Sequence, residues 1–98
     1  MIKYVVVMDI KNIDTGKNLI GTYPIAGETP KEALEKTVDD FSKTTEKEEE
    51  YKLIDEFWGF NEMEFYSTAS VCTAVERIYL NKERDIIKIR FTAQPIEF

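Results

Sequence analysis

One short stretch decides the fold of this chain: Thr29-Pro30-Lys31-Glu32, which carries the signals of a helix start. The Thr29 hydroxyl is placed to accept a hydrogen bond from the third helical amide, and the Glu32 carboxylate to accept one from the Thr29 amide. Pro30 suits the first helical position because its φ is preset and it has no amide hydrogen to leave unpaired. Apolar residues then recur at helical spacing, namely Leu34, Val38 and Phe41. The pattern predicts an amphipathic helix over residues 30–43.

A β-hairpin is predicted before this helix. The segment from Met1 to Ile10 is rich in Val and Ile. In an extended chain its even-numbered residues would lie on one face and its odd-numbered residues on the other, which is typical of a strand. The polar cluster Asn12–Asn18 predicts a turn, because Asn and Asp side chains bond back to the backbone and Gly tolerates a positive φ. Leu19–Ile25 is predicted as the return strand. Pro24 removes a donor from the ladder, so we expect this strand to end there or to lie at a sheet edge.

The segment after the first helix also has a helical signature. Thr45-Glu46-Lys47-Glu48 repeats the capping pattern. Apolar residues follow at helical spacing, namely Tyr51, Ile54, Phe57 and Trp58. Gly59 would serve as the stop, so a second helix is predicted over Glu46–Trp58. Since no strong breaker separates the two helices, one bent helix over residues 30–58 is the alternative.

The last third of the chain indicates a second hairpin. Residues 87–93 alternate strictly between apolar and polar, and the polar turn Asn81–Asp85 comes shortly before them. Ser70–Leu80 fits either a strand or a helix, and we predict a strand because it would pair with its neighbour. Its apolar face would then hold Cys72, Ala74, Ile78 and Leu80, with Glu76 as an exception. Met63–Tyr66 is short and ambiguous.

These elements predict an α+β fold in a single domain of residues 1–98. The expected architecture is an antiparallel sheet of four to five strands with one or two helices on one face, in the order β-β-α-(α)-β-β-β. The stretch Tyr23–Lys36 resembles the hairpin that feeds a capped helix in many unrelated small α+β proteins, including antitoxin-like and mobile-element proteins. That resemblance names no family.

The negative charge is confined to the middle of the chain. The formal net charge is −6, yet residues 28–64 hold 13 acidic and 5 basic side chains, a net −8, while each flank carries +1. The densest part surrounds Glu48, Glu49 and Glu50. A solvated helix face would account for it, and so would a docking surface for a basic partner, which would make association sensitive to salt.

Composition excludes several kinds of chemistry. The chain has no histidine and one cysteine, so it lacks the residues for Ser-His-Asp or Cys-His catalysis and for a structural zinc site. No Gly-rich phosphate motif is present. Asp9, Asn12 and Asp14 lack the spacing of a calcium loop and are interpreted as turn residues. Cys72 is interpreted as a small buried residue. We therefore expect no catalytic residue, no metal, no cofactor and no enzyme activity.

Protein binding is the leading functional hypothesis. We expect a small acidic cytoplasmic protein, an accessory or regulatory module, that binds another protein. A basic partner and formation of a homodimer are further expectations. The predicted partner-binding residues are acidic or aromatic: Glu46, Glu48, Glu49, Glu50, Asp55, Glu56, Trp58 and Phe60. One alternative is an inhibitor of the kind phages and mobile elements encode, which mimics nucleic acid to block a nucleic-acid-binding host enzyme. The other is a small-ligand-binding domain. Direct nucleic-acid binding and membrane association are not expected.

Overall fold

The computed structural model describes residues 3–60 and 72–95, apart from the side chains of residues 3, 60, 72 and 73. The elements in chain order are β1 Lys3–Asn12, β2 Asn18–Ala26, α1 Pro30–Lys43, α2 Thr45–Glu48, β3 Lys52–Phe60, β4 Cys72–Leu80 and β5 Ile86–Pro95. The strands form one antiparallel sheet in the order β2-β1-β5-β4-β3. Helix α1 packs across one face of the sheet. The predicted α+β fold is confirmed.

Helix α1 has the predicted bounds. Thr29 is extended and its hydroxyl accepts a hydrogen bond from the Glu32 amide at 3.1 Å. The Glu32 carboxylate accepts from the Glu28 amide at 3.2 Å, one residue before the partner that the capping pattern predicts. The helix ends where the Thr44 hydroxyl donates to the Asp40 carbonyl at 2.8 Å. No helix among the described residues has the length and apolar character needed to cross a membrane.

The core lies between α1 and one face of the sheet, here called the helix face. Its fully buried members include Leu34 of α1, Val6 of β1 and Phe91 of β5. Phe41 meets Phe91 edge to face, with ring centroids 5.5 Å apart. The strand alternation predicted for β1 and β5 is confirmed, because the buried residues of each recur with a period of two.

The first hairpin also forms as predicted. The Asn12 Oδ1 atom accepts from the Asp14 and Thr15 amides at 2.9 and 3.0 Å, and Gly16 adopts φ 78°. Strand β2 lies at a sheet edge, which explains how Pro24 is accommodated within it.

The second predicted helix, Glu46–Trp58, is wrong. Helical structure ends at Glu48, Glu50 takes φ 55°, and the chain continues as β3. The aromatic and β-branched residues of this stretch suit a strand as well as a helix. Pairing with β4 supplies the backbone hydrogen bonds of β3, and helical spacing within residues 46–58 carries no information about that pairing. Gly59 is accordingly a strand residue and not a helix stop.

The strand predicted over Ser70–Leu80 is confirmed from Cys72 to Leu80 as β4, with Ser70 and Val71 outside the described residues, but the predicted buried face is wrong at Ala74 and Ile78. Val75 and Tyr79 are buried, whereas Ala74 and Ile78 lie on the opposite, open face. Register decides this, since Val75 pairs with Phe91 and cross-strand partners share a face. Glu76 therefore also lies on the open face, 3.5 Å from the Lys88 amine. The ambiguous stretch Met63–Tyr66 lies outside the described residues.

Candidate functional site

Strand β3 is an edge strand whose outer side is regular over half its length. Among the described residues it pairs only with β4. A bulge after Leu53 leaves Ile54 as an extra residue, and the pairing then runs one to one from Asp55 to Gly59. An edge of this kind presents unpaired backbone N–H and C=O groups to a further strand.

The exposed apolar side chains of the described residues are concentrated at the two sheet edges. Four belong to the β1–β2 turn and β2, namely Ile13, Leu19, Ile20 and Tyr23. The other four belong to β3, namely Leu53, Ile54, Phe57 and Trp58. Strands β1, β5 and β4 contribute none of these large exposed side chains. Apolar surface left in water at a strand edge is typical of an interaction site.

Acidic residues without ion-pair partners precede β3. The acidic turn, defined as Glu48, Glu49 and Glu50, is fully on the surface, and no ion pair to it occurs among the described residues. In α1 the carboxylates alternate with lysines and form three i, i+4 pairs: Lys31–Glu35, Lys36–Glu32 and Lys43–Asp39. The unbalanced negative charge therefore lies at the start of the edge strand and not along the helix.

A network of ion pairs and hydrogen bonds centred on Arg77 connects β3 to the helical segment. The Arg77 Nε atom donates to Glu56 of β3 at 2.5 Å, and Nη1 lies 3.3 Å from Glu46 of α2. Nη1 also lies 2.7 Å from the Tyr79 hydroxyl, which in turn donates to Glu46 at 3.0 Å. The Trp58 indole donates to the second Glu56 oxygen at 2.7 Å. Both carboxylates are thus engaged within the molecule.

Burial and charge act in opposite directions inside the Arg77 network. Burial raises the pKa of the Glu56 carboxyl, but hydrogen bonds from Trp58 and Arg77, with the charge of Arg77, outweigh it and leave the pKa below its usual 4.5. Burial also raises the pKa of the Tyr79 hydroxyl, and Arg77 offsets this only in part. At neutral pH the network therefore holds an ionised Glu56 carboxylate beside the Arg77 guanidinium and a neutral Tyr79 phenol.

We expect Glu56→Gln to flatten the dependence of stability on pH. A carboxyl whose folded pKa is lowered stabilises the fold above its unfolded pKa of 4.5 and loses that contribution as the pH falls through the folded value. The melting-temperature advantage of the native chain over Glu56→Gln should therefore shrink between about pH 7 and about pH 3. Thermal unfolding followed by circular dichroism measures it. Glu32 also has a lowered pKa but is present in both proteins, so it cancels. A constant difference across this range would contradict the assignment.

The structure distributes the predicted partner-binding residues unequally. The acidic turn and Asp55 are exposed at or beside β3, whereas Glu46 and Glu56 belong to the Arg77 network. Trp58 lies on the helix-face side of β3 and keeps 36% of its surface exposed. Phe60 is the last residue of β3 and pairs with Cys72 of β4. The side chains of both residues are outside the part of the chain that the structure describes. The interpretation of Cys72 as a buried residue therefore stays a prediction.

Three residues of the edge were missed by the sequence analysis: Leu53, Ile54 and Phe57. All are exposed apolar residues of β3. The helical interpretation placed Ile54 and Phe57 on one face of the predicted helix together with Tyr51, with Leu53 adjacent to that face. The available signal was the strand-favouring composition of Leu-Ile-Asp-Glu-Phe-Trp, which is rich in aromatic and branched residues, although the same residues also satisfy a helical spacing.

A hollow of about 420 Å³ lies at the turn end of the helix face. Its apolar part includes Ile10 and Ile87, and Tyr51 stands beside them. Two of its polar residues form hydrogen bonds within the adjacent turns. The Asn12 side chain accepts from backbone amides of the β1–β2 turn, and the Asn81 Oδ1 atom accepts from the Asp85 amide at 2.8 Å. Its polar lining is therefore explained in part by turn formation.

No cluster of three or more His, Cys, Asp or Glu side chains suited to a metal ion occurs within residues 3–60 and 72–95. Comparisons with family models, curated proteins and solved structures find no match to this chain. The inference about function therefore depends on the geometry of β3 and its surroundings.

Proposed function

We propose that this protein binds another protein by adding an extended segment of the partner to the outer edge of β3. The main observation that supports this proposal is the regular strand edge from Asp55 to Gly59, which is bordered by exposed apolar side chains. In strand addition, main-chain hydrogen bonds give affinity and alternate side chains give specificity. The protein would act as a binding module without catalysis.

Charge indicates the chemistry of the partner segment. The acidic turn immediately precedes β3 and Asp55 lies in the first half of the strand, so a segment carrying Lys or Arg would be attracted to this end of β3. Parallel pairing of β3 with its own copy in a second molecule would bring these like charges together, which opposes that arrangement. The proposed occupant is therefore a basic, extended segment of a different protein.

Nucleic-acid mimicry draws less support from the geometry. A mimic needs an array of free carboxylates that reproduces the spacing of phosphates, whereas lysines interrupt the acidic face of α1. Exposed apolar side chains on β3 also favour a contact with protein over the imitation of a charged backbone.

The test uses a synthetic decapeptide that alternates lysine and valine, added to the isotope-labelled full-length chain. We expect chemical-shift changes along β3 and new protection of its outer amides from hydrogen exchange. Affinity should fall steeply between about 50 mM and about 500 mM salt, because the attraction is screened. The same peptide with glutamate in place of lysine should not bind.

Matched charge variants localise the contact. Replacing the acidic turn by three glutamines should weaken binding of the lysine peptide about tenfold or more, by removing the attraction. Replacing Glu35, Asp39 and Asp40 on the exposed side of α1 removes an equal charge and should have a smaller effect. Equal losses from both variants, or shift changes at β2 instead of β3, would refute the proposed site.

A further inference from the structure

A shallow hollow opens on the open face immediately inside the β3 edge. It has a volume of about 200 Å³ and is lined by Phe57, Gly59, Ala74, Glu76 and Arg90. We call it the Gly59 hollow. It exists because a glycine and an alanine lie opposite each other in neighbouring strands, so these two described residues place no bulky side chain over that part of the sheet.

Gly59 keeps this space open without being required by the backbone. It is not among the residues with positive φ, and a Cβ atom built on it would meet nothing within 4 Å. Glycine weakens a strand interior and often marks a place where another chain approaches closely. Neither the backbone conformation nor the packing of the described residues requires a glycine at position 59. The approach of another chain is therefore the explanation that we consider.

The geometry of strand addition directs a side chain to this place. Residues directly opposite each other in neighbouring strands point to the same face of a sheet. Gly59 pairs with Ala74, and this row belongs to the open face. A residue of an added segment lying opposite Gly59 would therefore direct its side chain toward the hollow, with little steric hindrance from Gly59.

The lining residues indicate what kind of side chain fits. Phe57 keeps 55% of its surface exposed and forms an apolar wall. Arg90 is exposed at the hollow, and a guanidinium favours the face of an aromatic ring. The Glu76 carboxylate is 3.5 Å from the Lys88 amine and is thus partly neutralised. A cavity of about 150 Å³ is enough to hold a benzene molecule, so this volume accommodates one ring.

We propose that the Gly59 hollow receives one aromatic side chain of the basic segment added to β3 and thereby sets the register of that segment. This inference rests on the proposed function. It adds a requirement that edge pairing and charge alone do not impose, namely one aromatic residue at one position.

The test scans the lysine–valine decapeptide with a single phenylalanine at each valine position in turn. We expect one position to tighten binding to the native chain about tenfold, measured by fluorescence anisotropy, and the other positions to change it little. In Gly59→Val the preferred position should lose this gain, because the new side chain occupies the hollow. The variant should fold with an unchanged or raised melting temperature, since valine suits an open strand position.

Two further variants make the outcome decisive. Phe57→Ala removes the apolar wall, so it should also abolish the preference for phenylalanine. Thr22→Val replaces a hydroxyl by a methyl group on the other edge strand and should leave the preference unchanged. If the peptides bind at β3 with equal affinity to the native chain and Gly59→Val, the hollow proposal is wrong while edge binding stands. If no peptide of the series binds the native chain, both proposals fail.

Discussion

Phe91→Ala is expected to lower the free energy of unfolding by about 3–5 kcal/mol, the range for removing a buried phenyl ring. Phe91 is fully buried in a central strand, and its ring meets Phe41 of α1 edge to face. Its loss would leave a cavity between the helix and the sheet, where close packing on both sides limits collapse. Urea unfolding followed by circular dichroism gives the measurement.

Phe57→Ala is the matched control for this change. It removes the same ring from an edge strand where 55% of the residue is exposed. We expect a change within about 0.5 kcal/mol, as for other surface substitutions. Similar losses from the two variants would mean that the core does not lie between α1 and the helix face.

Arg77→Met is expected to lower the free energy of unfolding by about 2–4 kcal/mol, somewhat below the range for breaking a fully buried ion pair. The change removes the cation that the Glu46 and Glu56 carboxylates both contact and puts no other positive charge in its place. The carboxylates are 24% and 29% exposed, so solvent screening reduces the loss. The same unfolding experiment measures it.

A neutralised variant separates charge from packing in this network. Adding Glu46→Gln and Glu56→Gln to Arg77→Met replaces the two carboxyl groups that lost their cation by neutral amides of similar size. We expect this triple variant to recover half or more of the lost stability, because unpaired buried charge is the main cost. If it is as unstable as the single variant, the contribution of Arg77 is packing of its stem. Loss of the network should also loosen β3, so binding of the lysine peptide should weaken in Arg77→Met.

Helix α1 and the two hairpins were predictable because their signals are local. A capping residue, a proline at the first position and an apolar stripe act within a few residues of each other, and so do alternation and turn residues. Those signals agree with one another from Lys3 to Lys43 and again from Asn81 onward, and the structure follows them.

The stretch that forms β3 was not predictable in the same way. Residues 51–58 satisfy a helical spacing and a strand composition together, so local preference does not choose between them. The choice depends on β4, which supplies a ladder, and on Arg77, which supplies a charge partner for Glu56. Both are more than a dozen residues away in the chain.

The candidate site shows the same division. The sequence predicted its acidic part and Trp58, because a charge run and an aromatic cluster are visible without a fold. It also included Glu46 and Glu56, which the Arg77 network engages, and it missed Leu53, Ile54 and Phe57. Accessibility is a property of the packed molecule, so composition indicates which side chains could bind but not which are left exposed.

By itself the sequence determined the capped helix, the alternating strands, the placement of charge and the absence of histidine chemistry. Only the tertiary structure decided that residues 52–60 form an edge strand, which face of β4 is buried, and that Gly59 lies beside a hollow. The physical reason is that hydrogen bonds within a helix or turn join near neighbours. Strand register, edges and hollows arise from pairing between distant segments, whose stability depends on the whole packed sheet.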